Sequence, residues 1–215
     1  MLIESLSIAV PVSAFLHIRA EYRGPRRHVY TFKPVTILLI LLIAALIPSP
    51  VSSFYKITIL CGLLFSLFGD IFLMLPKDRF VAGLVSFLIA HLFYISAFAF
   101  TEPIVLSGIN LLPFVLTGIV LFGILKPHLG NLKLPVLVYI IVITSMTWLA
   151  LNRWLSTDSP GCVWAFVGAL FFMASDAMLA FDRFKSPFSK ARFFVLTTYV
   201  IAQWLFAFSI TSGYQ

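Results

Sequence analysis

Charge is what this chain has least of. Asp, Glu, Lys and Arg make up 11% of its 215 residues, whereas a soluble domain carries about 25%. Another 61% of the chain is hydrophobic, and its mean hydropathy is +1.05. No water-borne core could hide that much apolar surface, so lipid must cover the remainder and a soluble fold is excluded. Strict apolar–polar alternation is also missing, because the apolar runs are continuous; that excludes an outer-membrane barrel. Cysteine is nearly absent. Cys61 and Cys162 both fall in or at apolar runs and read as small buried hydrophobes. The start, Met1-Leu-Ile-Glu, lacks the basic opening of a signal peptide, so 2–18 is expected as a retained helix. Three catalytic signatures are missing too. One deep histidine cannot build a three-histidine zinc site. There is no Gly-x-Ser-x-Gly elbow and no glycine-rich phosphate loop. The expectation is acid–base chemistry with no cofactor and no metal.

What is there is a series of apolar runs bounded by Pro, Gly and charges. They predict an all-α membrane protein with eight transmembrane helices, at about 2–18, 31–47, 54–75, 80–100, 104–125, 134–151, 161–181 and 191–212. The second requires Lys33 to snorkel and Pro34 to sit in the first helical turn. Thirteen of the 15 Lys and Arg residues fall in loops one, three, five and seven; Lys56 and Arg153 alone fall on the other side. The positive-inside rule then makes the odd loops cytoplasmic and both termini non-cytoplasmic. The net charge of +7 is spread over short loops, so it is a topology signal and calls for no nucleic acid. The basic stretch from Arg19 to Lys33 reads as a topology anchor.

The chain also repeats itself. Phe65-Ser-Leu-Phe-Gly-Asp70-Ile-Phe-Leu aligns with Phe171-Phe-Met-Ala-Ser-Asp176-Ala-Met-Leu. Ile89-Ala90-His91 matches Ile201-Ala202-Gln203, and Lys33-Pro34-Val35 matches Lys133-Leu134-Pro135-Val136 with one residue inserted. Four spans separate the copies. The expected architecture is therefore a single membrane domain, 1–215, built of two parallel four-helix repeats, about 1–102 and 103–215.

Asp70 and Asp176 stand at matching depth in this repeat, each inside an apolar run. An ionised carboxylate in mid-bilayer costs roughly 2.5–3.5 kcal/mol, so such residues are functional by default. Two carboxylates meeting across a pseudo-two-fold axis would share a proton and supply one general acid and one general base. His91 reads as the only histidine deep in a span, and Tyr94 shares its face. Its counterpart Gln203, with Tyr199 one turn earlier, Ser66 one turn from Asp70, and Tyr139 from the sixth helix complete a candidate cavity. Lys77 and Arg183 each follow their aspartate by seven residues and, with Lys33, are candidates to hold a lipid phosphate.

With these residues in view, the chain resembles the YhhN-like lysoplasmalogenase family. The resemblance rests on Lys33-Pro34, Ser66-Leu-Phe-Gly-Asp70-Ile-Phe-Leu, Phe80-x-x-Gly83 leading to His91-x-x-Tyr94, Ser175-Asp176-x-x-Leu179, and Tyr199-x-x-Ala202-Gln203. It spans about residues 30–205. The resemblance implies hydrolysis of the sn-1 vinyl ether of a lysoplasmalogen to a fatty aldehyde and a glycerophospho-ethanolamine or -choline. Expected partners are therefore a lysophospholipid substrate and membrane lipid, in a bacterial inner membrane, with a site open to the cytoplasm. Acid catalysis suits that bond. The expected catalytic set is Asp70, Asp176 and His91, with Tyr94, Tyr199, Gln203, Ser66, Lys33, Lys77 and Arg183 binding substrate. Three other readings stay open: a proton-coupled transporter, a lipid-binding or lipid-sensing membrane protein, and an intramembrane aspartyl protease. The last is disfavoured, because Leu67-Phe68-Gly69-Asp70 lacks the first glycine of Gly-x-Gly-Asp.

Overall fold

In the computed structural model, residues 1–48, 52–100, 108–157 and 159–211 are described. They form eight helices long and apolar enough to cross a membrane, two of them extended by 3₁₀ turns and one by a π turn. These are α1 (Leu2–Arg23), α2 (Arg26–Leu46), α3 (Ser53–Met74), α4 (Phe80–Phe100), α5 (Leu112–Leu125), α6 (Lys133–Ser156), α7 (Pro160–Ala180) and α8 (Ala191–Phe208). Helix is the form these runs must take in lipid, because only a helix satisfies every backbone N–H and C=O within one segment. The first residues of the fifth expected span (104–107), the last of the eighth (212) and the expected repeat boundary at 102–103 lie outside the described residues.

Several helix ends differ from expectation. α1 runs to Arg23, so the expected basic loop is itself helical except for Gly24 and Pro25. Arginines can continue a helix into the headgroup layer because their long stems carry the charge out to water. Consequently Pro34 sits two turns inside α2 rather than in its first turn. Its missing N–H leaves the Tyr30 carbonyl without its helical donor. α6 is longer than expected and carries Arg153 inside it, buried, with the guanidinium 4.2 Å over the Tyr55 ring.

Polar side chains finish several helices. Ser52 caps α3 by accepting from the Tyr55 N–H, and the Asp78 carboxylate accepts from the Phe80 N–H where α4 begins. Lys56 Nζ donates to the carbonyls of Ala45 and Ile47, at 2.7 Å each, satisfying acceptors that the end of α2 leaves open.

Helices α2, α3, α4, α6, α7 and α8 pack in that order as a ring, which closes where α8 meets α2. α1 lies outside against α2 and α8; α5 lies outside against α6. Inside the ring, Phe172 of α7 gathers Phe87, His91, Tyr94, Tyr199 and Phe206 around it. Outside, Leu38, Leu42, Ile57, Leu64, Phe68, Val85 and Ile119 stand exposed, forming an apolar surface that suits lipid.

Glycine permits two close approaches between α3 and α4. A Cβ on Gly62 would meet the Tyr94 ring at 2.2 Å, and one on Gly69 would meet the Phe87 ring at 2.6 Å. These contacts set how near α3 comes to α4, and so where Asp70 stands. Gly62→Ala is therefore expected to destabilise the protein by about 1–3 kcal/mol through overpacking. Gly123→Ala, which meets nothing within 4 Å, should leave the melting temperature unchanged or raise it. Thermal unfolding in detergent checks both; equal shifts would show that the α3–α4 approach is not what Gly62 protects.

Candidate active site

The aspartates look into one cavity of about 900 Å³ at the end of the bundle where the α1–α2, α3–α4 and α7–α8 connections lie. Lys33, Asp70, Asp176 and Tyr199 are among its lining residues, with Glu21, Arg26, Asp78, Arg79, Asp182, Arg183 and Arg192 toward its mouth. Beside it runs an apolar slot between α4, α5, α6 and α7, lined by Leu121, Leu125, Val136, Ile140, Ile143 and Phe184. Leu73, Phe80, Phe87, Asp176 and Leu179 line both. Asp176 therefore stands at the seam between a charged chamber and an oily one.

The two carboxylates have different surroundings. Asp70 is buried, and Lys33 Nζ lies 3.1 Å from its Oδ1. The Tyr199 hydroxyl donates to its Oδ2 at 2.7 Å. An ammonium and a phenol can both donate, so Asp70 is the acceptor of each. Asp176 accepts from the Tyr139 hydroxyl, and among the described residues no Lys or Arg lies within ion-pair distance of it. His91 Nδ1–H donates to the Phe87 carbonyl at 2.6 Å, since a carbonyl cannot donate. That turns Nε2 toward Asp176 Oδ2, at 3.9 Å, with no hydrogen-bond partner among the described residues.

Not every expected site residue reaches the cavity. His91 is fully buried and lines neither chamber, so it can act only through Asp176. Tyr94, Gln203 and Ser66 are also buried behind the site; Tyr94 donates to Gln203 Oε1 at 2.8 Å, deep between α4 and α8. Lys33 does line the cavity, drawn down onto Asp70. Lys77 is exposed and stands outside the lining. The reason is local: α3 ends at Met74 and Leu75 turns extended ahead of Pro76, so seven residues after Asp70 no longer means two helical turns. Arg183 does keep that relation to Asp176, because α7 continues through a π turn, Phe181–Lys185. It pairs with Asp78 and lies 5.1 Å from the Phe80 ring centroid. The Phe80 N–H and the Arg183 guanidinium hold the Asp78 carboxyl below the ordinary carboxylate range, so this strap persists at neutral pH and loosens only in acid.

Other residues at the site were not singled out from sequence. His17 is buried within the lengthened α1, 3.6 Å from Glu21, so His91 is not the only deep histidine. Glu21 also pairs with Arg192 at 3.3 Å, bridging α1 to α8. In the sequence, Arg26 and Arg79 stand only as loop charges. The spacing of Arg26, Val29 and Lys33 on one helical face was a usable signal for the first.

Comparison with known proteins decides the family: the YhhN family model matches residues 29–210. The chain belongs to the YhhN family. "Uncharacterized membrane protein YhhN" of Escherichia coli O6:H1 is 35% identical over 171 residues, covering 79% of this chain and 80% of that one. Lysoplasmalogenase TMEM86B of Sus scrofa is 36% identical, covering 71% of this chain and 62% of its own. Lysoplasmalogenase TMEM86A of Homo sapiens is 35% identical, covering 70% and 64%. No solved structure matches.

The ion pair at the base of the cavity yields a direct test. Lys33→Met and Asp70→Asn should each lower the melting temperature, and the double variant should lose less than their sum, with a coupling of about 0.5–3 kcal/mol. Strictly additive losses in a thermal double-mutant cycle would mean that the two side chains do not hold one another.

Proposed function

We propose that this protein is a lysoplasmalogenase that hydrolyses the sn-1 vinyl ether of a lysophospholipid, with Asp176 as general acid and Asp70 as the ionised partner. The observation that carries this reading is the seam at Asp176. A lysoplasmalogen is polar at one end and a hydrocarbon at the other, with the scissile bond between them. The charged chamber suits the glycerophosphate head, the apolar slot suits the alkenyl chain, and the carboxyl of Asp176 stands where they join. The lysoplasmalogenase relatives support the same substrate class.

The chemistry follows from the two environments. Asp176 gives its proton to the β-carbon of the vinyl ether; the alkene electrons form that C–H bond and leave an oxocarbenium ion. The new Asp176 carboxylate stabilises this cation electrostatically. Asp70 takes a proton from water as its oxygen bonds to the cationic carbon, giving a hemiacetal. Asp70 then returns that proton to the glycerol oxygen as the C–O bond breaks, and Asp176 recovers its own from the hemiacetal hydroxyl. Both residues end as they began, with aldehyde and alcohol released. His91 and Tyr139 position Asp176; Tyr199 and Lys33 position Asp70.

The helix contacts support two parallel repeats as the frame of this site. α2 packs on α8 as α6 packs on α4, and α1 and α5 occupy like outer places. Gly168 precedes Asp176 by the same eight residues as Gly62 precedes Asp70, and Phe206 follows Gln203 as Tyr94 follows His91. The rings of Tyr94 and Phe206 lie over Gly62 and Gly168 respectively. Under the positive-inside rule the cavity faces the cytoplasm of a bacterial inner membrane and both termini lie on the other side.

Purified protein is expected to release fatty aldehyde from a lysoplasmalogen and to leave the saturated alkyl-ether analogue intact. Asp176→Asn and Asp70→Asn should each lower kcat by about 10²–10⁴-fold. In heavy water the aldehyde should carry deuterium on the carbon next to its carbonyl. Undiminished turnover in either folded variant would refute the roles assigned to the pair. Absence of aldehyde from folded wild-type protein would refute the hydrolase reading itself.

A further inference from the structure

The mouth of the cavity holds more positive charge than its ion pairs use. Four arginines line it: Arg26 at the start of α2, Arg79 just before α4, Arg183 in the π turn and Arg192 in the first turn of α8. Arg183 is held by Asp78, and Arg192 by Glu21. Arg26 and Arg79 make no ion pair and no side-chain hydrogen bond among the described residues. Two guanidiniums are thus left open on the wall of the chamber that ends at the aspartates.

Their height suits a particular anion. Arg26, Val29 and Lys33 share one face of α2 and all line the cavity. Seven residues of helix set the Arg26 backbone about 10 Å from the Lys33 backbone along α2, on the mouth side, and Lys33 reaches Asp70 at the floor. In a glycerophospholipid, six bonds join the vinyl carbon on the ether oxygen to phosphorus, a span of roughly 7–8 Å once the zigzag of about 1.5 Å bonds is allowed for. The two lengths are of the same order. A phosphate at the mouth therefore places the scissile bond at the floor.

We infer that Arg26 and Arg79 together bind the phosphodiester of the lipid substrate, in place of the Lys33, Lys77 and Arg183 set that the sequence pattern suggests. This rests on the lipid-hydrolase reading and adds the headgroup site to it. Guanidinium forks pair with phosphate oxygens through two parallel hydrogen bonds, so two arginines read a phosphodiester specifically and select against a neutral alkenylglycerol.

Binding to purified full-length protein in detergent tests this without relying on turnover. The probes are a saturated 1-O-alkyl-lysoglycerophosphoethanolamine, the matching 1-O-alkylglycerol without phosphate, and inorganic phosphate alone. The double variant Arg26→Gln/Arg79→Gln is expected to weaken the phospholipid by roughly tenfold or more. It should leave the alkylglycerol affinity unchanged, which also shows that the fold and the slot are intact. Lys77→Gln removes one positive charge outside the cavity and is expected to change neither. Unaltered phospholipid binding in the double variant, or an equal loss for the alkylglycerol, would overturn the inference. So would inorganic phosphate binding wild-type protein as tightly as the lysolipid does, because the site would then serve a free anion. A chain that binds in the expected pattern yet releases no aldehyde would refute the hydrolase reading and leave this site standing.

Discussion

The contact of Lys33 with Asp70, inside an apolar bundle, is the one around which the other helices are arranged. Each ion alone would be expensive in that setting; together, with the Tyr199 hydroxyl completing the carboxylate's hydrogen bonds, they form a near-neutral unit at the floor of the cavity. Much of the architecture serves that contact. α2 must keep its helix through Pro34 to present Lys33, and α3 must approach α4 closely at Gly62 and Gly69 to hold Asp70 in place. α8 must close the ring so that Tyr199 arrives from the far side. Both carboxylates accept from a phenol, but among the described residues only Asp70 also has an ammonium. The proposed division of roles between two residues of the same type rests on that one difference in partner.

The second determinant is the division of space beside Asp176. A charged chamber without the slot would suit a soluble phosphate ester, and a slot without the chamber would suit a hydrocarbon. Only their junction at a carboxyl group matches a substrate that changes from polar to apolar at the bond to be cleaved. The chamber is built from three connections that lie at one end of the bundle, which favours a lipid enzyme entered from one side over a transporter.

The helices were legible because their signal is composition over a long run, which no tertiary contact needs to supply. Their ends were less so: Arg19, Arg23 and Arg26 looked like loop residues but continue helices, since an arginine stem can lift its charge out of lipid. Asp70 and Asp176 stood out for the same reason the helices did, as charges where none should be. Their partners did not. Lys33 lies on another helix and its reach depends on how α2 packs against α3, which no local pattern encodes. Lys77 does not stand two helical turns from Asp70, because the helix has already ended before Pro76. Ser66, Tyr94, Gln203 and His91 have the chemistry of a lining but point into the core behind it, since polarity in a span does not say which way a side chain faces.

The central claim is that the two carboxylates differ in protonation because only Asp70 has a cation. Infrared spectroscopy of the purified protein at neutral pH addresses it most directly, through the carbonyl stretch of a protonated carboxylic acid. The account predicts such a band in wild-type protein, lost in Asp176→Asn and retained in Asp70→Asn. A band that survives in Asp176→Asn and disappears in Asp70→Asn would contradict it and exchange the roles of the pair.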